Sequence, residues 1–179
     1  MSLLISLQSE SVKIKRSAAF YVCFIVAAIV PLILFFDVVT PSDGGKGVIQ
    51  QESLDKYFEH AQQVFNFVFL PLFIILISTL LMQIEYRNNT WKQVLTSPQK
   101  MINVFLSKFV TLHLLIILFI ASYLTFLFVG VFLINLIHPG LFKKEFNLQA
   151  ALLANWNVYV SVFAISAIQF WLSLRFKNF

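Results

Sequence analysis

The chain has 179 residues, 59% of them hydrophobic and only 12% charged, with a net charge of +5. Soluble domains carry about a quarter of their residues as Asp, Glu, Lys and Arg, so this composition excludes an ordinary water-soluble domain and places the chain in a bilayer. The positive charge points to no nucleic-acid partner, because the basic residues cluster on alternate loops as membrane topology requires.

Residues 1–16, MSLLISLQSESVKIKR, read as an element of their own. Leu3, Leu4, Leu7 and Ile14 fall near one face of a helix, with Gln8, Glu10, Lys13 and Lys15 elsewhere. This predicts an amphipathic interfacial helix in the cytoplasmic headgroup layer, its bases favoured by anionic lipid. A frayed tail is the alternative. The apolar run 18–36 follows, long enough to cross about 30 Å of hydrocarbon. It is longer than the ~7–15 residues of a signal-peptide core and no small-x-small cleavage site follows it, so it reads as a retained span 1. Cys23, the one cysteine, lies within it and allows neither an intrachain disulfide nor a Cys-based metal framework.

An external loop over 37–63 begins with turn formers and ends in a short helix leading into span 2, residues 64–84, which contains Pro71. The loop's Gly44–Gly47 run is no phosphate loop: the required earlier Gly is missing and neither Ser nor Thr follows Lys46. Any nucleotide hydrolysis therefore belongs to another chain.

Residues 85–100, EYRNNTWKQVLTSPQK, interrupt the apolar pattern. Thr90 and Gln93 fit a capping box, each side chain reaching the other's backbone N–H. Trp91, Val94 and Leu95 then fall on one narrow apolar face, and Pro98 ends the helix at Ser97. The result is a rigid piece of roughly 10–12 Å held between two spans. A partner that grips it moves both. The competing reading is an interfacial helix that anchors the loop, with Trp91 as a belt aromatic. Asn88, Asn89 and Thr90 match a glycosylation sequon, discounted because the segment is predicted to be cytoplasmic.

Span 3, residues 101–137, would run about 55 Å as one helix. Gly130 is the one turn-prone residue in its apolar part, and a lone Gly does not make a hairpin. The prediction is a single helix whose first two turns, up to Lys108, project from the cytoplasmic surface with Lys108 snorkelling outward. A short external loop, 138–147, leads to span 4 at 148–174. Nine of the thirteen Lys and Arg residues fall in the amino-terminal segment, the 85–108 region and the carboxy-terminal end. The 37–61 region holds Asp37, Asp43, Glu52, Asp55 and Glu59 against Lys46 and Lys56. Both termini are thus predicted to be cytoplasmic, with Lys143 and Lys144 the exceptions.

No span carries a central acid or base, which argues against a proton or sodium relay. His60, His113 and His138 lie too far apart in sequence to form a ligand pair. His113 reads either as a bundle-facing hydrogen-bonding residue or as a substrate contact. Asn155, Asn157 and Gln169 are accounted for by interfacial anchoring and interhelical hydrogen bonding. With no acid, base, nucleophile or metal set, the expectation is a non-enzyme without cofactors. Its aromatic, nearly uncharged spans suit an amphiphilic or lipid-associated cargo, and equally suit simple lipid-facing packing.

The 85–108 stretch resembles the permease subunits of type 2 ABC exporters, with Glu85, Arg87, Thr90, Trp91, Lys92, Ser97, Pro98 and Lys108 at the positions of that family's pattern. The opening LQSESVKIKRSAAF, with Glu10, Lys13 and Arg16, resembles the lantibiotic-immunity group of those permeases. The resemblance covers nearly the whole chain. It implies an all-α polytopic bundle in the plasma membrane, one permease domain over 1–179, paired with a second permease subunit, identical or homologous, and with ATP-binding ABC subunits. The 85–100 segment would be the coupling helix seated in a cleft of the ATPase. Trp91, Val94 and Leu95 would pack there, and Glu85, Arg87 and Lys92 would fix its orientation. Cargo would leave through the permease interface, driven by ATP hydrolysed on the partner, and the group's immunity role tilts that cargo toward peptide antibiotics. Such permeases usually have six spans, so this chain, with four, reads as lacking the last two. The alternative function is a non-transporting membrane scaffold or regulatory subunit that recruits a cytoplasmic partner.

Overall fold

The computed structural model describes residues 3–15, 17–40, 54–87, 101–137 and 148–175, all helical except Ser17 and Thr40. The predicted loop segments 41–53 and 138–147 and the segment 88–100 lie outside the described residues. Helix α1, Leu3–Lys15, is joined to α2, Ala18–Val39, by a tight hydrogen-bonded corner. Both the backbone N–H and the Oγ of Ser17 donate to the Ile14 carbonyl at 2.9 Å, and the Phe20 N–H donates to Ser17 O at 3.3 Å. Helix α2 continues through Pro31, whose missing N–H leaves the Ala27 carbonyl without its ordinary partner. The helix ends at Thr40, where both the backbone N–H and Oγ1 donate to Phe36 O at 2.8 Å.

The second apolar run belongs to a longer continuous rod. Helix α3, Leu54–Val64, passes through one π turn, Phe65–Phe69, into α4, Leu70–Arg87. The wide turn has a local cause. Pro71 cannot donate to the carbonyl of Phe67, and its ring clashes there in a regular helix. Widening the turn relieves this, and the Leu70 N–H bonds to Phe65 O instead. Helix α3 joins the bundle because Leu54, Tyr57, Ala61 and Phe65 recur at helical spacing and are all buried. Helix α5, Met101–Ile137, is a single element of 37 residues, and α6, Leu148–Arg175, completes the fold.

Four helical stretches, 18–39, 56–83, 102–137 and 151–175, are long and apolar enough to cross a membrane, and no strand occurs among the described residues. The protein is an all-α polytopic bundle. Helix α2 packs most extensively against α5, and α4 contacts both α5 and α6, which also meet directly. Ring pairs fix the register of the second and third spans: Phe58 on Phe128 at 5.7 Å, Phe65 on Tyr123 at 3.8 Å and Phe73 on Phe119 at 3.9 Å. Numbers rise along one helix as they fall along the other, so the two run antiparallel. In lipid, helix association gains little from burial as such, because acyl chains are as apolar as leucine; close packing holds the helices together. Each aromatic pair adds about 0.5–1.5 kcal/mol.

One sequence expectation at the base of α5 is corrected. Its first two turns are covered by α1, and Val104, Ser107 and Lys108 are buried. Lys108 does not snorkel outward. A carboxylate reaches it from α1, which makes the buried position tolerable.

Candidate functional site

The segment predicted to meet a partner is anchored at both ends by described helices. Glu85 and Arg87 lie in the last turn of α4, which ends at Arg87, and α5 resumes at Met101. Thr90, Trp91, Lys92, Val94, Leu95, Ser97 and Pro98 lie outside the described residues. The described structure therefore shows what this segment is attached to: the second span on one side, and on the other the base of the third.

That base is a charged knot. The packed face of α1 follows half-buried Leu7 and buried Glu10 and Ile14, with Glu10 7% exposed, while Gln8, Ser9 and Val12 face outward. Glu10 thus sits on the packed face and not with the polar residues. Its Oε2 accepts from Lys108 Nζ at 3.2 Å and its Oε1 from Lys13 Nζ at 2.9 Å. Lys108 is 1% exposed. One carboxylate is shared by two ammonium groups, and a charge this deep persists only when paired and hydrogen-bonded. Sequence reading missed the pair, although a signal was present. A lone lysine in an apolar run requires an acid, and Glu10 is in register with the apolar Leu7 and Ile14.

A second polar cluster joins the third and fourth spans. His113 is buried, with Tyr159 Oη 3.2 Å from its Nδ1 and Ser166 Oγ 3.4 Å from its Nε2. Proton positions follow from the single hydrogen of serine. Ser166 Oγ donates it to Phe163 O at 2.8 Å, so at His113 it accepts, and Nε2 carries the proton. Nδ1 is then free to accept from the Tyr159 hydroxyl. The result is a neutral relay, Tyr159 to His113 to Ser166 to backbone. Phe163 stacks on the imidazole at 4.5 Å, and Phe109 meets it edge-on at 4.5 Å.

At the other end of the bundle, Gln62 Nε2 donates to Asn66 Oδ1 at 3.0 Å and to Asn155 Oδ1 at 3.1 Å. Asn155 Nδ2 donates to Ala151 O at 2.8 Å and to Gln62 Oε1 at 3.4 Å. This ties the second span to the fourth, and both amides use both of their N–H donors. None of the three clusters forms a nucleophile–base pair aimed at an open cleft. They are joints between helices.

A family model described as ABC-2 family transporter protein matches residues 6–179. Comparison with curated proteins and with solved structures gives no match.

Proposed function

This chain belongs to the ABC-2 transporter family, and from that premise we propose that it is the permease subunit of an ATP-driven exporter, gripped by its ATPase at residues 85–100. As a member of the family it is a multi-pass plasma-membrane protein, the membrane component of an ABC transporter associated with an ATP-binding subunit. The observation that carries the finer reading is positional. A segment whose sequence predicts a capped helix with an apolar face and a proline stop lies between two membrane-length helices, so a pull on it reaches both α4 and α5 directly.

In this reading the end of the bundle bearing Lys13, Arg87, Lys108 and Arg175 faces the cytoplasm, together with both termini. Trp91, Val94 and Leu95 fill an apolar cleft on the ATP-binding subunit, flanked by polar contacts from Glu85, Arg87 and Lys92, while Thr90, Ser97 and Pro98 shape the helix. A second permease, identical or homologous, completes the pathway. ATP binding closes the nucleotide subunits, the segment moves, and the spans pass from inward-open to outward-open. The cargo is an amphiphile, with peptide antibiotics the favoured class.

The test is Trp91→Ala in the assembled complex. Affinity for the ATP-binding subunit, read as co-purification, is expected to fall about thirtyfold, as loss of a central aromatic anchor costs about 2 kcal/mol, with membrane insertion unchanged. Undiminished co-purification would favour the interfacial-anchor role for this helix.

A further inference from the structure

Resting on that reading, we propose that Glu10 is a positioning residue for transport: it latches α1 to the base of α5, so that the first span moves with the ATPase-gripped segment. Three observations carry this. Lys108 lies seven residues beyond Met101, where residues 88–100 enter α5, so the two are linked by unbroken helix. The Glu10 carboxylate bridges Lys108 at 3.2 Å and Lys13 at 2.9 Å, so α1 and α5 share a buried charge. The α1–α2 corner is held at Ser17 by two bonds to Ile14 O at 2.9 Å. Motion entering at α5 therefore passes through Glu10 to α1, and through Ser17 to α2. Without the latch, α1 loses this charged hold on the base of α5, and α2 receives the motion through its apolar face.

Electrostatics explains why a charge does this work. Apolar side chains slide past one another in lipid at small cost, because acyl chains of the same polarity fill in wherever a neighbouring side chain moves away. A buried carboxylate between two ammonium groups has no such substitute. It holds one register.

The experiment uses the permease with its ATP-binding subunit in lipid nanodiscs, in a Cys23→Ala background. Nitroxide pairs are placed at exposed positions. One pair, Val12→Cys with Ile102→Cys, spans the latch. The other, Phe36→Cys with Leu152→Cys, reports the far end of the bundle, where α2 ends and α6 begins. The latch distance should be narrowly distributed and unchanged by ATP, while the far-end distance shifts with ATP. Glu10→Gln should broaden the first distribution and abolish the shift in the second, with the ATP-binding subunit still bound. The exchanged pair, Glu10→Lys with Lys108→Glu, should restore both. A latch distribution unchanged by Glu10→Gln overturns the proposal, as does an exchanged pair that folds without restoring the far-end shift. If Glu10→Gln does not accumulate, recovery of folded protein and of the far-end shift by the exchange supports the latch, and failure of that recovery overturns it. Absence of any ATP-driven shift in the unmutated complex counts against the exporter reading, while the latch pair, measured without nucleotide, still decides whether Glu10 docks α1.

Discussion

Glu10 serves two lysines, and this makes its loss unequal to theirs. Removing Lys108 leaves Glu10 with Lys13 at 2.9 Å. Removing Glu10 takes the carboxylate from Lys13 and Lys108 together. Breaking a buried pair from one side costs about 3–5 kcal/mol. Glu10→Gln is therefore expected to fall in that range and Lys108→Met clearly below it, as read by thermal unfolding in detergent; equal losses would contradict the shared-carboxylate geometry. The His113 relay makes a smaller claim. A double-mutant cycle between His113→Leu and Tyr159→Phe should show a coupling of about 0.6 kcal/mol, the usual worth of such bonds between membrane helices; zero coupling would mean the two side chains do not share a proton. The bundle-facing role of His113 was legible in sequence, because a lone imidazole in an apolar run turns toward partners. Glu10 was not, because its neighbours Gln8 and Ser9 are polar and the helical stripe had to be read through an acid.

The helices themselves differ in how openly their sequences declare them. Helix α5 is an unbroken apolar run, and one glycine does not stop it. Adding a Cβ at Gly130 meets nothing within 4 Å, so Gly130→Ala is expected to raise stability by about 0.5–1 kcal/mol, the usual mid-helix gain. A rise in the unfolding temperature checks this, and a fall would show that the glycine serves a close approach not made within this chain. The second span was less legible. The sequence predicts a short helix leading into it, but not that this helix, which begins at Leu54, is continuous with the span, because α3 has a polar outer face and averaged hydrophobicity starts the span at residue 64. The π turn was hidden for another reason. Proline marks a disturbance in a helix, but whether the backbone kinks or widens depends on packing, here on Phe65 lying between Phe119 and Tyr123 at 5.0 and 3.8 Å.

At the scale of the molecule, polar joints set in an aromatic core tie the second, third and fourth spans together at different depths and α1 to the base of the third, while the first span packs on α5. The fourth span is the least buried of them, held by the His113 and Asn155 joints, and its outer face exposes Leu153, Trp156, Val160, Ile168 and Trp171. Composition and run length were enough to establish the all-α bundle, since spanning a bilayer leaves the backbone few options. They do not encode which helix touches which, because lipid-facing and helix-facing residues are equally apolar; only the rare polar residues and the rings carry that information. Transport driven from the ATP-binding subunit depends on residues 85–100 facing the ATPase. The most direct measurement is labelling of Thr96→Cys, a position inside this segment that leaves Trp91, Val94 and Leu95 in place, in a Cys23→Ala background, with a membrane-impermeant maleimide. The account predicts no reaction in intact cells, reaction in inside-out vesicles stripped of the ATP-binding subunit, and protection when that subunit is bound. Reaction from the outside of intact cells would contradict it.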